Sequence, residues 1–451
     1  MRRYSHIPIR ALLLIFVCAC PLAACFAQDS SSRMEQIIQG YVANKKFMGS
    51  ILVARDGKIL LNKGFGFANL EWNIPNSPTT KFQIASLTKQ FTAASIFLLE
   101  EHGKLNVNDP AKKYLQDAPA SWDNITIYNL LTHTSGIPDS YDGITSWRQT
   151  KPPDQLVAAF RNKPLVFQPG EKYRYSNAGY YLLGYLIEKI SGQSYGAFVK
   201  ENIFTPLGMN DSGYDSHSEV IQHRASGYHL GQSEPENSDY YDVTLRFSAG
   251  GIYSTTEDLL RWEQGLFGGK LLSSASLNKM TTPFKDDYAC GLAVSDIDGH
   301  RAIDHSGSMD GFNSDMIYYP DDKLSVIVIS NLGGDPKSIA PKLASVVHGE
   351  KVVLPWERNE ITIPSITLAQ FAGTYYDLIP NYNMIVSVED GRLMAQITGD
   401  KKRVLAAESD AVFFERETEG EYEFVRGNKG EITSVLYIQG GKKMKGIRRA
   451  Q

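Results

Sequence analysis

The sequence predicts a mixed α/β (α+β) body followed by a small all-β domain. Three observations carry this. A hairpin pattern around Asp56-Gly57 and three strand patterns after residue 302 bracket a loop-rich middle, about 105 to 285, that holds several helices. The middle contains amphipathic stretches ended by glycines, at 179–191 before Gly192 and at 256–267. Beyond Pro355 and Pro364 the pattern is all strand and turn. The expected division is a leader at 1–27, a main domain at 28–350, a linker at 351–366 and a small domain at 367–451.

Taken in order, residues 1–27 read as a targeting segment. Arg2, Arg3 and Arg10 form a basic region, Ala11 to Val17 an apolar one, and Ala24-Cys25-Phe26-Ala27 a small-residue cleavage site. The apolar run is short of the about 20 residues that span a bilayer. Leu22-Ala23-Ala24-Cys25 also resembles a bacterial lipobox, in which lipid on Cys25 would anchor the chain to a membrane. Either reading places the protein outside the cytoplasm of a bacterium, periplasmic or membrane-anchored. Cys18, Cys20 and Cys25 belong to this segment. That leaves Cys290 alone, without a disulfide partner once the leader is removed. Its setting, Tyr288-Ala289-Cys290-Gly291-Leu292, reads as a buried strand start with a structural thiol.

Residues 28–33 are polar and Ser-rich, a tether. Met34, Ile37, Ile38 and Tyr41 predict a helix over 34–47. Ile51 to Ala54 and Ile59 to Leu61 flank the Asp56-Gly57 turn. Gly64-Phe65-Gly66 lacks a third glycine and a following helix, so it punctuates a strand and is no nucleotide loop. Leu87, Phe91, Ala94 and Leu98 predict a helix over 86–102, stopped by Gly103. Ala302 to Ser306, Asp315 to Tyr319 and Leu324 to Ser330 read as strands, and 336–348 as a helix. In the tail, short strands at regular spacing suggest a small barrel or sandwich.

The bulk numbers bound the function. The chain has 451 residues, 42% hydrophobic and 21% charged, enough to bury a real core. Its net charge of −4 argues against a nucleic-acid partner. A small-molecule or peptide substrate is the expected partner.

Ser86-Leu87-Thr88-Lys89 is the first candidate for chemistry. A serine hydroxyl is a weak nucleophile without a base. Residues three apart share a helix face, so the Lys89 amine can approach the Ser86 oxygen. Ser86 also sits at a helix start, where free N–H groups favour negative charge. The spacing alone proves little, because Ser276-Leu277-Asn278-Lys279 shares it. That copy follows Ser273 and Ser274, which look like helix caps. Tyr175-Ser176-Asn177 is the second candidate. In an extended stretch Tyr175 and Asn177 would face one site, Tyr175 to move protons and Asn177 to hold an amide carbonyl. His305-Ser306-Gly307-Ser308 is the third. Gly307 would admit a substrate backbone, and the Ser308 backbone N–H would join that of Ser86 as an oxyanion hole. A decoy, His229-Leu230-Gly231, leads into a polar surface loop. No H-E-x-x-H motif and no Cys/His cluster occurs, and this chemistry needs neither a metal nor another cofactor.

In that order, Ser86-x-x-Lys89, Tyr175-x-Asn177 and His305-x-Gly307 resemble the three motifs of class C β-lactamases and D-Ala-D-Ala carboxypeptidases. Leu130-Leu131-Thr132-His133-Thr134-Ser135-Gly136-Ile137-Pro138, Pro206-Leu207-Gly208-Met209 and Gly250-Gly251-Ile252-Tyr253-Ser254-Thr255 match the same family. The resemblance spans roughly 35–350. The tail resembles the lipocalin-like domains found on some members, D-aminopeptidases among them. The resemblance implies one antiparallel five-stranded sheet, made of the hairpin and the three late strands, flanked by helices with a mostly helical insert. It implies a Ser86 acyl-enzyme, with Lys89 and Tyr175 handling protons and His133 bracing the loop before Gly136. The third motif begins with His305 instead of the β-lactamase lysine. That resembles the carboxypeptidase, D-aminopeptidase and esterase branches. The expected activity is therefore hydrolysis of amide bonds in D-amino-acid peptides or peptidoglycan-like fragments. An esterase, a β-lactamase and a non-catalytic penicillin-binding sensor are the alternatives.

Overall fold

The computed structural model describes residues 20–139, 146–231, 234–379, 382–416, 419–439 and 442–449. Most of the expected targeting segment, and the side chains of the lipobox-like stretch 22–25, lie outside the described residues.

The main domain is built on one antiparallel sheet. Its strands are β1 (Gly49–Arg55), β2 (Lys58–Phe65), β3 (Ala293–Ile297), β4 (His300–Met309), β5 (Phe312–Tyr319) and β6 (Leu324–Ser330), in the order β3-β4-β5-β6-β1-β2. The sheet thus has six strands, not the expected five. The extra strand, β3, reads weakly because Ser295 and Asp296 interrupt its apolar residues. Its Asp298-Gly299 turn is nevertheless a hairpin signal, with both residues at positive φ, 52° and 85°. Asp56 and Gly57 do the same between β1 and β2, at 49° and 76°. Two consecutive positive φ values match the twist of paired strands.

Both faces of the sheet are covered, and strand alternation divides the core accordingly. Leu52, Ile327 and Ile329 face one cluster, shared with the helical insert. Ile51, Val53, Val326 and Val328 face the other, under the first and last helices of the domain. The helices used below are α1 (Cys20–Ala43), α2 (Thr88–Glu101), α3 (Ile127–Leu131), α4 (Asn177–Ser191), α5 (Phe247–Gly250), α6 (Thr256–Phe267), α7 (Ser274–Thr281) and α8 (Pro336–His348). The expected boundaries at 179–191, 256–267 and 336–348 agree closely with α4, α6 and α8.

The expected tether at 28–33 is helical instead, and α1 ends at Ala43, short of 47. A tertiary contact overrides the weak helix preference of the serines. The Arg33 guanidinium donates to both carboxylate oxygens of Glu357, at 3.0 and 2.8 Å, and to the Val352 carbonyl at 2.8 Å.

The tail forms a closed eight-stranded barrel, from Gly373–Ile379 to Lys442–Arg448, each strand pairing with the next and the last with the first. Closure leaves no open sheet edge. Phe371, Tyr375, Phe413 and Phe424 fill it, with ring centroids 4.8 to 5.6 Å apart. Glu419 of the barrel reaches the main domain. It accepts from the buried Tyr41 hydroxyl at 2.5 Å and pairs with Lys342 at 2.9 Å.

Replacing Glu419 by alanine strands the Tyr41 hydroxyl. The expected loss is about 1–3 kcal/mol of stability, read in urea unfolding. Hydrogen exchange should loosen at α1 and α8, with the barrel core unaffected.

Candidate active site

Ser86 stands where a short paired strand, Phe82–Gln83, turns into α2. The expected helix over 86–102 begins differently: Ala85–Leu87 form a single 3-10 turn, and α2 starts at Thr88. Ala85 has φ 49°, a left-handed conformation that a residue with a Cβ adopts at roughly 1–3 kcal/mol. Neighbours hold it there. The Ile84 carbonyl accepts from the Ser314 hydroxyl at 2.9 Å, and the Ile84 N–H donates to the Ile252 carbonyl at 3.0 Å. Gly307 makes the turn fit. A Cβ on it would lie 2.4 Å from the Ile84 carbonyl and 2.9 Å from the Ala85 Cβ. The sequence reading gives this space to a substrate backbone; in the structure the Ile84–Ala85 turn before Ser86 fills it.

Lys89 is fully buried, and its amine donates to three acceptors. They are the Ser86 hydroxyl at 3.0 Å, the Asn177 side-chain carbonyl at 2.9 Å and the Ala249 carbonyl of α5 at 2.8 Å. Two of these can only accept. A neutral amine therefore spends both its hydrogens on Asn177 and Ala249, and its lone pair falls to Ser86. Burial lowers the Lys89 pKa to about 7; the Asp139 carboxylate works against this and the Arg246 guanidinium with it. Near neutral pH the amine is thus free to take a proton from Ser86.

Tyr175, 37% exposed, lies with its ring 4.8 Å from the Lys89 ammonium. Packing raises its phenol well above the usual range, a shift the nearby Ser86 hydroxyl opposes. At neutral pH it is a proton donor. The Tyr-x-Asn motif is not one extended stretch. Ser176 caps α4, accepting from the Gly179 N–H, and Asn177 is the first helical residue. Asp139 locks this start by accepting from the Ser176 hydroxyl at 2.8 Å and the Ala178 N–H at 2.8 Å. With the Asn177 oxygen given to Lys89, its NH2 end is the end that can serve a substrate carbonyl.

His305 is buried and both ring nitrogens have partners. Nδ1 lies 2.7 Å from the Ser306 carbonyl, which can only accept, so Nδ1 carries the proton. Nε2 then accepts from the Tyr288 hydroxyl at 3.0 Å. That oxygen accepts in turn from His133 Nε2 at 3.2 Å, and His133 Nδ1 accepts from the Ser176 N–H at 3.1 Å. One hydrogen-bond chain of fixed direction therefore joins the second motif to the third. Burial holds His305 neutral, with a pKa of about 3, and the Lys89 charge adds to this. Burial likewise drives His133 well below its ordinary value. His133 does more than brace the loop before Gly136.

Strand β3 pairs with β4 only as far as Asp304. From His305 to Met309 that edge of β4 is open to the cleft beside the Ser86 turn, and Ser308 is exposed on it. A cavity of about 420 Å³ is lined by Gln83, three residues before Ser86, and by Arg246, Tyr241, Met309 and Phe312 among others. The Arg246 guanidinium lies over the Tyr241 ring at 4.9 Å.

The decoys separate cleanly. Ser273 caps α7, with Ser276 in its first turn, and Lys279 pairs with Glu100 at 3.1 Å. His229 lies on a surface strand, 3.5 Å from Asp310. Cys290 is fully buried, as expected, but sits in a turn before β3 and not in a strand; burial raises its thiol far above the reactive range. Sequence reasoning missed Asp139, Arg246 and Tyr288. None had a local signal: Asp139 follows Ile137-Pro138, but the helix start it holds lies 38 and 39 residues further on.

Tyr288→Phe keeps the ring but leaves His133 and His305 without their shared partner. We expect about 1–3 kcal/mol lower stability in denaturant unfolding. Serine labelling should slow even in the folded variant, since both motifs lose a common anchor.

Residues 34–348 match the β-lactamase family. A penicillin-binding protein of Bacillus subtilis is 30% identical over 446 residues, covering 92% of this chain and 98% of its own. The octameric penicillin-binding protein homologue from Pyrococcus abyssi superposes with a TM-score of 0.66 at 27% identity, covering 92% of this chain and 99% of that one. The D-amino acid amidase from Ochrobactrum anthropi, at 22% identity, shares the fold, with a TM-score of 0.64 over 71% of this chain and 99% of its own. The chain belongs to the β-lactamase family, within the serine superfamily that includes the penicillin-binding proteins.

Proposed function

We propose that the protein is a serine hydrolase that cleaves amide bonds of D-amino-acid peptides or peptidoglycan-like fragments through an acyl-enzyme on Ser86. The observation that carries the chemistry is the buried Lys89 amine, 3.0 Å from the Ser86 hydroxyl and near neutrality in charge. Lys89 takes the Ser86 proton as the oxygen attacks the carbonyl carbon. The backbone N–H groups of Ser86 and Ser308 receive the developing oxyanion. The proton held by Lys89 passes through the Tyr175 hydroxyl to the leaving amine; in deacylation Tyr175 takes a proton from the attacking water and one is passed back to the departing Ser86 oxygen. A standing base with so high a pKa is not needed, because the phenol only relays.

Two features support the amide reading over a β-lactamase. The third motif presents a neutral, buried His305 where the β-lactamase pattern has a lysine. The cavity lined by Gln83 and Met309 instead offers the Arg246 guanidinium, whose charge is felt at Lys89, to an anionic group such as a peptide carboxylate. The relative named as a D-amino acid amidase is in keeping with this. Export, with cleavage near Ala27 or lipid on Cys25, belongs to the same proposal and rests on the leader sequence.

The deciding experiment is one preparation offered a D-Ala-D-Ala peptide, a D-aminoacyl amide, a short ester and a cephalosporin. The highest kcat/KM should fall on the D-peptide or the amide. A preference for the ester or the cephalosporin would overturn the substrate assignment, and no turnover of any by folded protein would leave a binding role. Fluorescent penicillin should label the wild type and Ser276→Ala equally and fail on Ser86→Ala.

Acylation by p-nitrophenyl acetate should rise with pH through about 7 and then level, because the protonated Lys89 cannot accept a proton. Arg246→Gln removes a charge that lowers this pKa, so the profile should move to higher pH. Tyr175→Phe should cut turnover by about 100-fold or more.

A further inference from the structure

At the end of the sheet remote from Ser86, four chain segments bring imidazoles and carboxylates together. His300 opens β4, Asp322 lies in the β5–β6 turn, His348 ends α8 and Glu350 follows it. His300 and Gly307 are seven residues apart on one strand, roughly 23 Å. The two imidazoles stack, with centroids 3.7 Å apart and planes within 17°. His300 Nε2 is 3.4 Å from Glu350 Oε1, and His348 Nε2 is 3.2 Å from Asp322 Oδ2. One ligand atom each from His300, His348 and Glu350 lies within 4.8 Å of the others.

We propose that His300, His348 and Glu350 form a binding site for a divalent transition-metal ion of the zinc type, with Asp322 as the supporting carboxylate.

Three observations converge on it. The first is His348. Its side chain is only 5% exposed, and its buried Nε2 makes no hydrogen bond. Asp322 is close but off the N–H direction, so this nitrogen lacks the partner a buried polar atom normally has. The second is spacing. Ligands about 2.1 Å from a tetrahedral ion stand roughly 3.4 Å from each other, the separation His300 and Glu350 already have. The third is the donor set. Two imidazoles and one carboxylate suit zinc-type ions, not calcium or magnesium.

The surroundings fit the same assignment. Arg55 donates to Asp322 Oδ1 at 2.7 Å, and Asp322 Oδ2 lies 4.0 Å from His300 Nδ1, the ring nitrogen turned away from Glu350, which suits it to orient that histidine. Tyr319 packs its ring edge-on against both imidazoles. His300 and Glu350, at 34% and 39% side-chain exposure, leave the site open to entry from solvent. A bound ion would staple the β3–β4 turn to the end of α8. It would play no part in the Ser86 chemistry.

The test uses the full chain, treated with a chelator, dialysed and titrated with Co2+ and then Zn2+. We expect one equivalent of Co2+ to bind with visible d–d absorption that Zn2+ bleaches. The thermal midpoint should rise with Zn2+. His300→Ala and Glu350→Gln alter partly exposed side chains at the sheet end, and each should weaken binding by at least about tenfold. His229→Ala, a second partly exposed histidine beside an acid, should change nothing. Turnover of p-nitrophenyl acetate should be equal with and without metal. Binding that survives both His300→Ala and Glu350→Gln, binding lost equally in His229→Ala, or no binding of either ion would each overturn the proposal.

Discussion

The site depends on one constraint, the placing of a lysine amine in a fully buried position with two carbonyl acceptors and one hydroxyl. Burial sets its charge state, and the two carbonyls set its direction. The carbonyls come from α4 and α5, distant in sequence from α2, so the insert and the sheet must be docked before the amine is aimed. Much of the surrounding structure serves that docking. Ser176 and Asp139 fix the start of α4, and α5 begins at Phe247, itself at the unusual φ of 37°. Left-handed residues with side chains cluster here, at Ala85, His133 and Phe247, as expected where a surrounding structure enforces local geometry.

The sequence showed the parts of this arrangement better than their connections. Ser86, Lys89, Tyr175, Asn177 and His305 are legible because helix spacing, strand spacing and motif order are local properties. The helices and strands with clear apolar periodicity were legible for the same reason. What local patterns cannot carry is contact between distant residues. Tyr288 looks like a core aromatic until His133 and His305 are seen on either side of it. Strand β3 is thin in apolar residues because it is a sheet edge, and its weakness is what its position demands. The polar stretch at 28–33 is helical because Arg33 finds Glu357, more than three hundred residues away.

Placing His305 also changes what the third motif does. A residue expected at the substrate lies inside the wall of the cleft, neutral and doubly bonded. The hydrogen-bond chain that it ends is directional, with each tautomer dictated by an acceptor-only carbonyl at one end and a backbone N–H at the other. Charging His305 would require the chain to break, which burial alone makes costly.

The contact between Gly307 and the Ile84–Ala85 backbone has a mechanical consequence. The Ser86 turn is registered against a strand, not against its own helix, through two positions with almost no side chain between them. No flexible group is interposed to absorb a displacement of the strand. Movement of β4 where its edge is open would carry Ser86 out of line with Lys89 while α2 stays folded. Loss of function on warming should therefore precede loss of the fold.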